Sequence, residues 1–240
     1  FSSNLWYIKV IIPFFVFRLF ISTPKDLLID NNSSINTDIM NFLSIDCSTD
    51  IGSLFVKYKN KTFSKILQSD KSNNDLLMKQ ILDFFKENNL KFDVISMIFV
   101  NQGPGNFSGL RGSLAIAKGI SISKSLNLFG YNTFLLSSVK FFDKEDFIYS
   151  LIEFRKRYFI RKFNRYLNSV SKIEEVTIKE ILKNYVNKFK IIPKNMVKYF
   201  DKEILKLQNL NIVDLDYNEL KFLQLKGLLN DKLVKPLYLN

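Results

Sequence analysis

The sequence predicts an α/β fold with a mixed sheet, and three observations carry that reading. Short apolar, strand-like runs lie at 42–46, 53–58, 61–67 and 94–100, with a helix-like run from Asp75 to Asn88 between the third and fourth. A glycine-rich stretch, Asn101-Gln102-Gly103-Pro104-Gly105-Asn106-Phe107-Ser108-Gly109-Leu110-Arg111, links the fourth run to a second helix-like segment. The pattern restarts near residue 147. Strands alternating with helices at this spacing argue for sheets flanked by helices.

Each element has a local reason. Phe42-Leu43-Ser44-Ile45-Asp46 reads as a buried strand, and turn signals at Asp50-Ile51-Gly52 and Lys59-Asn60 bound the next two strands. Asn73 or Asn74 can cap the helix beginning at Asp75, whose Leu77, Met78, Ile81, Leu82, Phe84 and Phe85 make a wide apolar face. The spacing predicts a helix over 107–126 and a short strand over 128–131. Beyond a boundary at 139–146, it predicts a strand pair at 147–152 and 154–163. Helices are expected over 177–189, 199–208 and 217–228, and a tail strand over 234–239.

The first 39 residues differ from the rest. Val10 to Ile21 is apolar but contains Pro13 and Arg18, and its dozen residues fall short of the roughly 20 that a membrane helix needs. Asp30 to Asp38 is a polar, linker-like stretch. The chain begins at Phe1, and Met40 stands directly before the first strand. The expectation is a non-core extension over 1–39 with a natural start at Met40, no membrane association and a cytoplasmic location.

Composition excludes several chemistries. In 240 residues there is no histidine, which removes Ser-His and Cys-His pairs, imidazole acid–base catalysis and histidine metal sites. Cys47 is the single cysteine, so no disulfide forms within the chain, and it reads as a buried thiol. Net charge is +12, concentrated in residues 140–206, where 17 Lys and Arg face 9 acids. That excess suits nucleic-acid phosphates, an acidic partner or a merely soluble surface. Phe154 to Arg161 interleaves basic and aromatic residues, as a base-stacking surface or an amphipathic strand would. The acidic groups Asp143, Glu145, Asp146 and Glu174-Glu175 read as solvated faces.

The glycine stretch lacks the Gly-Lys-Ser/Thr of a phosphate loop, and Gly103-x-Gly105-x-x-Ser108 departs from the dinucleotide fingerprint. It is open to reading as a structural turn, an anion site or a partner site. Arg111, one turn into the helix, suits either a phosphate or a partner carboxylate. Asp46 ends the first strand, where a carboxylate can hold hydrated Mg²⁺ beside phosphates. Actin-like and sugar-kinase-like folds carry Asp-x-Gly-Thr at the corresponding turn. Asp46-Cys47-Ser48-Thr49 has serine for that glycine, which makes it a degenerate phosphate turn, and an Asx cap through Asp46 is the simpler reading. The helix at 107–126 has small residues at Ser113, Ala115, Ala117 and Gly119, interleaved with the apolar Leu110, Leu114 and Ile120.

These residues resemble the TsaB (YeaZ) family of tRNA threonylcarbamoyladenosine biosynthesis subunits. Gly103 to Arg111 is similar to the family's Gly-Pro-Gly-Ser-Phe-Thr-Gly-Leu-Arg, with Asn106 and Ser108 substituted. Leu43 to Thr49 is similar to its first strand and turn. Ile152-Glu153-Phe154-Arg155 resembles Ile-Asp-Ala-Arg, and Pro236-Leu237-Tyr238-Leu239 resembles the closing Pro-x-Tyr-Leu. The resemblance implies a two-lobed actin-like (ASKHA, RNase H-like) fold, with an N-terminal lobe over 40–140 and a smaller, diverged lobe over 141–240. It implies a non-catalytic partner of TsaD, with no catalytic residue, cofactor or metal of its own. TsaD, with TsaE in a larger complex, transfers threonylcarbamoyl to adenosine beside the tRNA anticodon. A homodimer without TsaD and an indirect contact to tRNA also belong to the expectation. The TsaD interface would use the helices at 75–88 and 107–126, through Leu77, Ile81, Phe85, Leu110, Arg111, Leu114 and Lys118. The glycine loop of Gly103, Pro104, Gly105, Phe107, Ser108 and Gly109 would set the second helix. The family often has a histidine before the first long helix, where this chain reads Ser69 to Leu77 without one. The alternative is an active Mg-dependent kinase or hydrolase using Asp46.

Overall fold

A computed structural model describes residues 40–67 and 75–239. The readings placed on residues 1–39, on the Asn73/Asn74 cap and on the segment lacking the family histidine lie outside those residues.

Two five-stranded mixed sheets, flanked by helices, make up the fold of the described residues. The first is built from β1 (Phe42–Asp46), β2 (Gly52–Tyr58), β3 (Lys61–Leu67), β4 (Met97–Asn101) and β5 (Asn127–Tyr131), in the order β3-β2-β1-β4-β5. β1 pairs antiparallel with β2 and parallel with β4, aligning Ile45 with Leu54 on one side and Val100 on the other. Between strands run α1 (Asp75–Glu87) and α2 (Phe107–Lys124).

The two-residue alternation of β1 explains how this sheet buries both faces. Leu43 and Ile45 point into a cluster with Leu77, Ile81, Phe84 and Phe85 of α1 and Leu114, Ala117 and Ile120 of α2. Phe42 points the other way, with Phe55 and Phe99, into a cluster that also holds the second sheet's core. There α3 (Thr133–Ser138), capped by Asn132, brings Phe134, Leu135 and Leu136 against Ile148, Leu151 and Ile152. The sequence reading missed α3, although Asn132 before Thr-Phe-Leu-Leu carries the signal of a capped helix.

The second sheet runs β10-β9-β6-β7-β8, from β6 (Phe147–Phe154), β7 (Arg157–Asn164), β8 (Glu174–Val176), β9 (Lys190–Pro193) and β10 (Leu210–Val213). The predicted strand pair is the β6–β7 hairpin, though Phe154 belongs to β6. Much of the remainder differs from expectation. The helix expected over 177–189 ends early: α4 spans Ile178–Asn184, started by a Thr177–Glu180 capping box, and the chain turns into β9. Over 199–208 there is only α5 (Lys202–Leu205), and over 217–228 a 3₁₀ turn at 217–219 followed by α6 (Leu220–Leu225). The segment 234–239 is not a strand. It crosses the glycine loop, where Leu237 N–H donates to the Gln102 carbonyl at 2.7 Å and Gln102 Nε2 to the Lys235 carbonyl at 2.7 Å. Among the described residues, no helix is long and apolar enough to cross a membrane.

Candidate functional site

β1 delivers Asp46 to the end of the first sheet, where the residue is 6% exposed. Oδ1 accepts from Ser48 N at 2.9 Å and Ser48 Oγ at 2.7 Å. Oδ2 accepts from Asn101 Nδ2 at 2.9 Å and from the Tyr217 hydroxyl at 3.1 Å. Burial first, and then the Asp46 charge, push the Tyr217 hydroxyl well above its ordinary pKa, so it stays a donor. Four donors on two oxygens fill the acceptor directions of the carboxylate. Ser48, standing where an actin-like fold has glycine, supplies two of the four.

The glycine stretch packs its backbone onto this turn. A Cβ on Gly105 would lie 1.8 Å from the Ser48 carbonyl oxygen, and one on Gly109 2.4 Å from that of Cys47. Asn106 N–H donates to the Ser48 carbonyl at 2.8 Å, while Asn101 Oδ1 accepts from Gly103 N–H at 2.8 Å. Gly103, at φ +108, occupies backbone space that side chains avoid. The space a phosphate would need beside Ser48 is therefore filled by the loop itself, and close approach of the two main chains accounts for the glycines. Asn106 caps α2 by accepting from Ser108 N–H.

Cys47 is buried, and that burial, reinforced by the Asp46 charge, pushes its thiol up to about 12. It is a packed thiol, not a nucleophile. Thr49 donates to the Ile51 carbonyl within its own turn. Asp143 and Asp146 pair with Arg165, and Glu175 with Arg157. Among the described residues, no group of three His, Cys, Asp or Glu could hold a metal.

The seven residues assigned to a partner face divide by burial. Leu77, Ile81, Phe85, Leu110 and Leu114 are at most 8% exposed, the first three and Leu114 packed on their own sheet. Arg111 and Lys118 are exposed. They share the outer face of α2 with Ala115, Gly119 and Ile122, the last 80% exposed, while Leu82 is 48% exposed on α1. At the start of α2 the Arg111 guanidinium lies 3.9 Å from the Phe107 ring centre, and its Nε donates to the Tyr238 hydroxyl at 2.9 Å. Tyr238 stacks on Phe107 with ring centres 5.3 Å apart, so the tail holds the first turn of the helix.

An open cleft of about 430 Å³ lies between the 48–50 turn, the glycine loop, the β6–β7 turn and the 194–199 turn. Ser48, Thr49, Gly105 and Asn106 line one wall, and Glu153, Phe154, Arg155, Lys156, Met196 and Tyr199 the other.

A family model described as TsaD, tRNA N6-adenosine threonylcarbamoyltransferase, matches residues 68–145. A protein of Buchnera aphidicola subsp. Baizongia pistaciae, named tRNA threonylcarbamoyladenosine biosynthesis protein TsaB, is 34% identical over 86 residues, 35% of this chain and 38% of its own length. The protein of the same name from Buchnera aphidicola subsp. Acyrthosiphon pisum is 24% identical over 186 residues, 73% of this chain and 81% of its own. Among solved structures, YeaZ from Pseudomonas aeruginosa superposes with a TM-score of 0.62 at 12% identity, covering 83% of this chain and all of its own. Both curated relatives carry the TsaB name, and the chain is similar to TsaB/YeaZ proteins over these spans. Against the TsaB/YeaZ glycine motif, Asn106 keeps a helix cap and Ser108 keeps a hydroxyl beside it, at 3.2 Å from Asn106 Oδ1. The residues that the sequence reading missed are Asn101, Tyr217 and Gln102. No local pattern marks Tyr217, which reaches Asp46 across 171 positions.

Proposed function

We propose that this chain is the non-catalytic partner of a TsaD-type threonylcarbamoyltransferase, supporting modification of adenosine beside the tRNA anticodon. The observation that carries it is the Asp46 carboxylate, consumed by four internal donors in a chain without histidine. That arrangement leaves nothing at the first strand's end to bind Mg²⁺ or activate water, and it disfavours the kinase or hydrolase alternative. The TsaB names of the relatives and the TsaD description of the matched family support the pathway. In this reading residues 40–140 form the partner-facing lobe, 141–240 the second lobe and 1–39 a non-core extension. The complex, with TsaE, works in the cytoplasm, and a homodimer forms when TsaD is absent. The basic second lobe makes at most an indirect contact with tRNA.

The docking face we assign is the exposed stripe of α2 with its neighbour on α1: Arg111, Ala115, Lys118, Ile122 and Leu82. Burying one large apolar side chain is worth about 1.5–3 kcal/mol, so Ile81 and Leu114 serve the chain's own stability. The test is co-purification with TsaD and an assay of threonylcarbamoyladenosine in tRNA. Ile122→Glu and Ala115→Glu are expected to abolish pairing while leaving the melting temperature unchanged. Full TsaD activity without this chain would overturn the reading, and intact pairing in both variants would move the interface elsewhere.

A further inference from the structure

Strand register builds a smaller pocket, of about 240 Å³, on the second sheet. Paired residues of neighbouring antiparallel strands share a face of the sheet. Tyr149 of β6 pairs with Lys162 of β7, and Ile160 of β7 with Glu174 of β8. Ile160 and Lys162 are two positions apart, so all four side chains stand on one face. Asn184, the last residue of α4, and Tyr185, its cap, complete the lining with Ser171. Buried Lys190 holds that wall in place, because its Nζ donates to the Tyr185 and Val186 carbonyls at 2.7 and 2.8 Å.

The pocket contains one cation and one anion, and they do not pair. Ion pairs among the described residues engage neither Lys162 nor Glu174. The half-buried Lys162 ammonium lies against rings instead, 3.7 Å from the Phe147 centre and 5.5 Å from that of Tyr149. Among the described residues, neither the Tyr149 and Tyr185 hydroxyls nor the Asn184 amide has a hydrogen-bonding partner. Burial first, and then the Glu174 charge, raise the Tyr185 hydroxyl above its ordinary pKa, so it remains a donor. The Tyr149 and Tyr185 rings, with centres 5.6 Å apart, offer π faces to a cation, and Ile160 supplies an apolar floor.

We propose that this pocket binds a free α-amino acid with a short, uncharged side chain. Such a zwitterion places a carboxylate and an ammonium on one carbon, and the pocket offers a counter-charge to each. Its carboxylate would take Lys162 and the Asn184 amide, and its ammonium would take Glu174 and the tyrosine rings. Glu174 disfavours a phosphate or dicarboxylate, and Lys162 disfavours a diamine. None of these residues lies on α1 or α2, so the site stands independently of the partner reading.

Calorimetry on the full chain with L-valine, L-valinamide and N-acetyl-L-valine tests this. The amide keeps only the ammonium, as the first residue of a peptide does. The acetyl derivative keeps only the carboxylate, as the last residue does. Each loses one charge-assisted contact, so valine is expected to bind about tenfold more tightly than either. Glu174→Gln changes an exposed position on the edge strand β8 and is expected to leave the melting temperature unchanged. It should weaken valine about tenfold and abolish the preference for valine over N-acetylvaline. Lys162→Met should abolish the preference over valinamide. Absence of valine binding at millimolar concentration, equal or tighter binding of either derivative by the native chain, or unchanged valine affinity in Glu174→Gln would each overturn the proposal.

Discussion

Each sheet buries one charged side chain, and the two are held in opposite ways. Asp46 in the first sheet is bonded by Ser48, Asn101 and Tyr217, the last two 55 and 171 positions away. Lys190 in the second is fully buried, and its Nζ donates to the carbonyls of Tyr185, Val186 and Lys188 at 2.7, 2.8 and 2.6 Å, all within five residues. The anion ties distant parts of the chain together. The cation finishes a local turn, donating to carbonyls just beyond the end of α4, of which that of Tyr185 also accepts from Lys188 N–H at 3.1 Å. A buried charge is thus a long-range knot in one sheet and a local clamp on a turn in the other.

The largest effect is expected where the knot depends on backbone contact. A Cβ on Gly105 would meet the Ser48 carbonyl oxygen at 1.8 Å, a main-chain atom that cannot swing aside. Gly105→Ala is expected to lose about 4 kcal/mol in urea unfolding, at the severe end of single substitutions. Asp46→Ala follows at about 3 kcal/mol, because Ser48 N–H is left buried without a partner. Asn101 and Tyr217 retain other partners, Thr133 and Ser53, so the loss is not the sum of four bonds. Tyr217→Phe removes one bond to a charged acceptor and should cost about 1.5–2 kcal/mol. If Asp46→Ala proves no worse than Tyr217→Phe, the carboxylate is not the centre of the knot.

Lys190→Met leaves the Val186 and Lys188 carbonyls without this donor, while that of Tyr185 keeps the Lys188 N–H, and is expected to cost about 2 kcal/mol. Its pH dependence separates it from Asp46. Burial lowers the Lys190 ammonium from an ordinary 10.5 to about 8. Between those values the unfolded chain binds more protons than the folded one, so this group makes stability rise with pH across the window. Melts at pH 8 and pH 10 should show a rise in the native chain that is smaller in Lys190→Met. An identical pH response would mean that the ammonium titrates as it does in water.

The same contrast explains what could be read in advance. The first sheet was legible because its strands are blocks such as Phe42 to Ile45 and Ile98 to Val100, separated by Gly, Asn and Asp turns. Four-residue strands such as Lys190-Ile-Ile-Pro and Leu210-Asn-Ile-Val are too short to show a period, and their pairing with one another and with β6 specifies them. At the site, Asp46, Ser48 and the glycine stretch announced themselves by type and spacing. Tyr217 did not, and the tail at Lys235 to Tyr238, though its closing motif stood out, gave no sign of its contacts to Gln102 and Arg111, because contacts over more than 100 positions leave no local mark.

The smallest effect is expected at Gly119, the counterpart of Gly105 on the same glycine-containing segment. An added Cβ there meets nothing within 4 Å, and the position is exposed in the interior of α2. Helix propensity alone then decides the outcome, and Gly119→Ala should stabilise the isolated chain by about 0.5–1 kcal/mol. Gly119 also lies on the face assigned to TsaD, so the two properties can be measured against each other. A higher melting temperature together with weaker co-purification would mean that glycine is kept there for close approach of a partner helix. A higher melting temperature with pairing unchanged would confine the interface to the Arg111 and Ala115 end of α2.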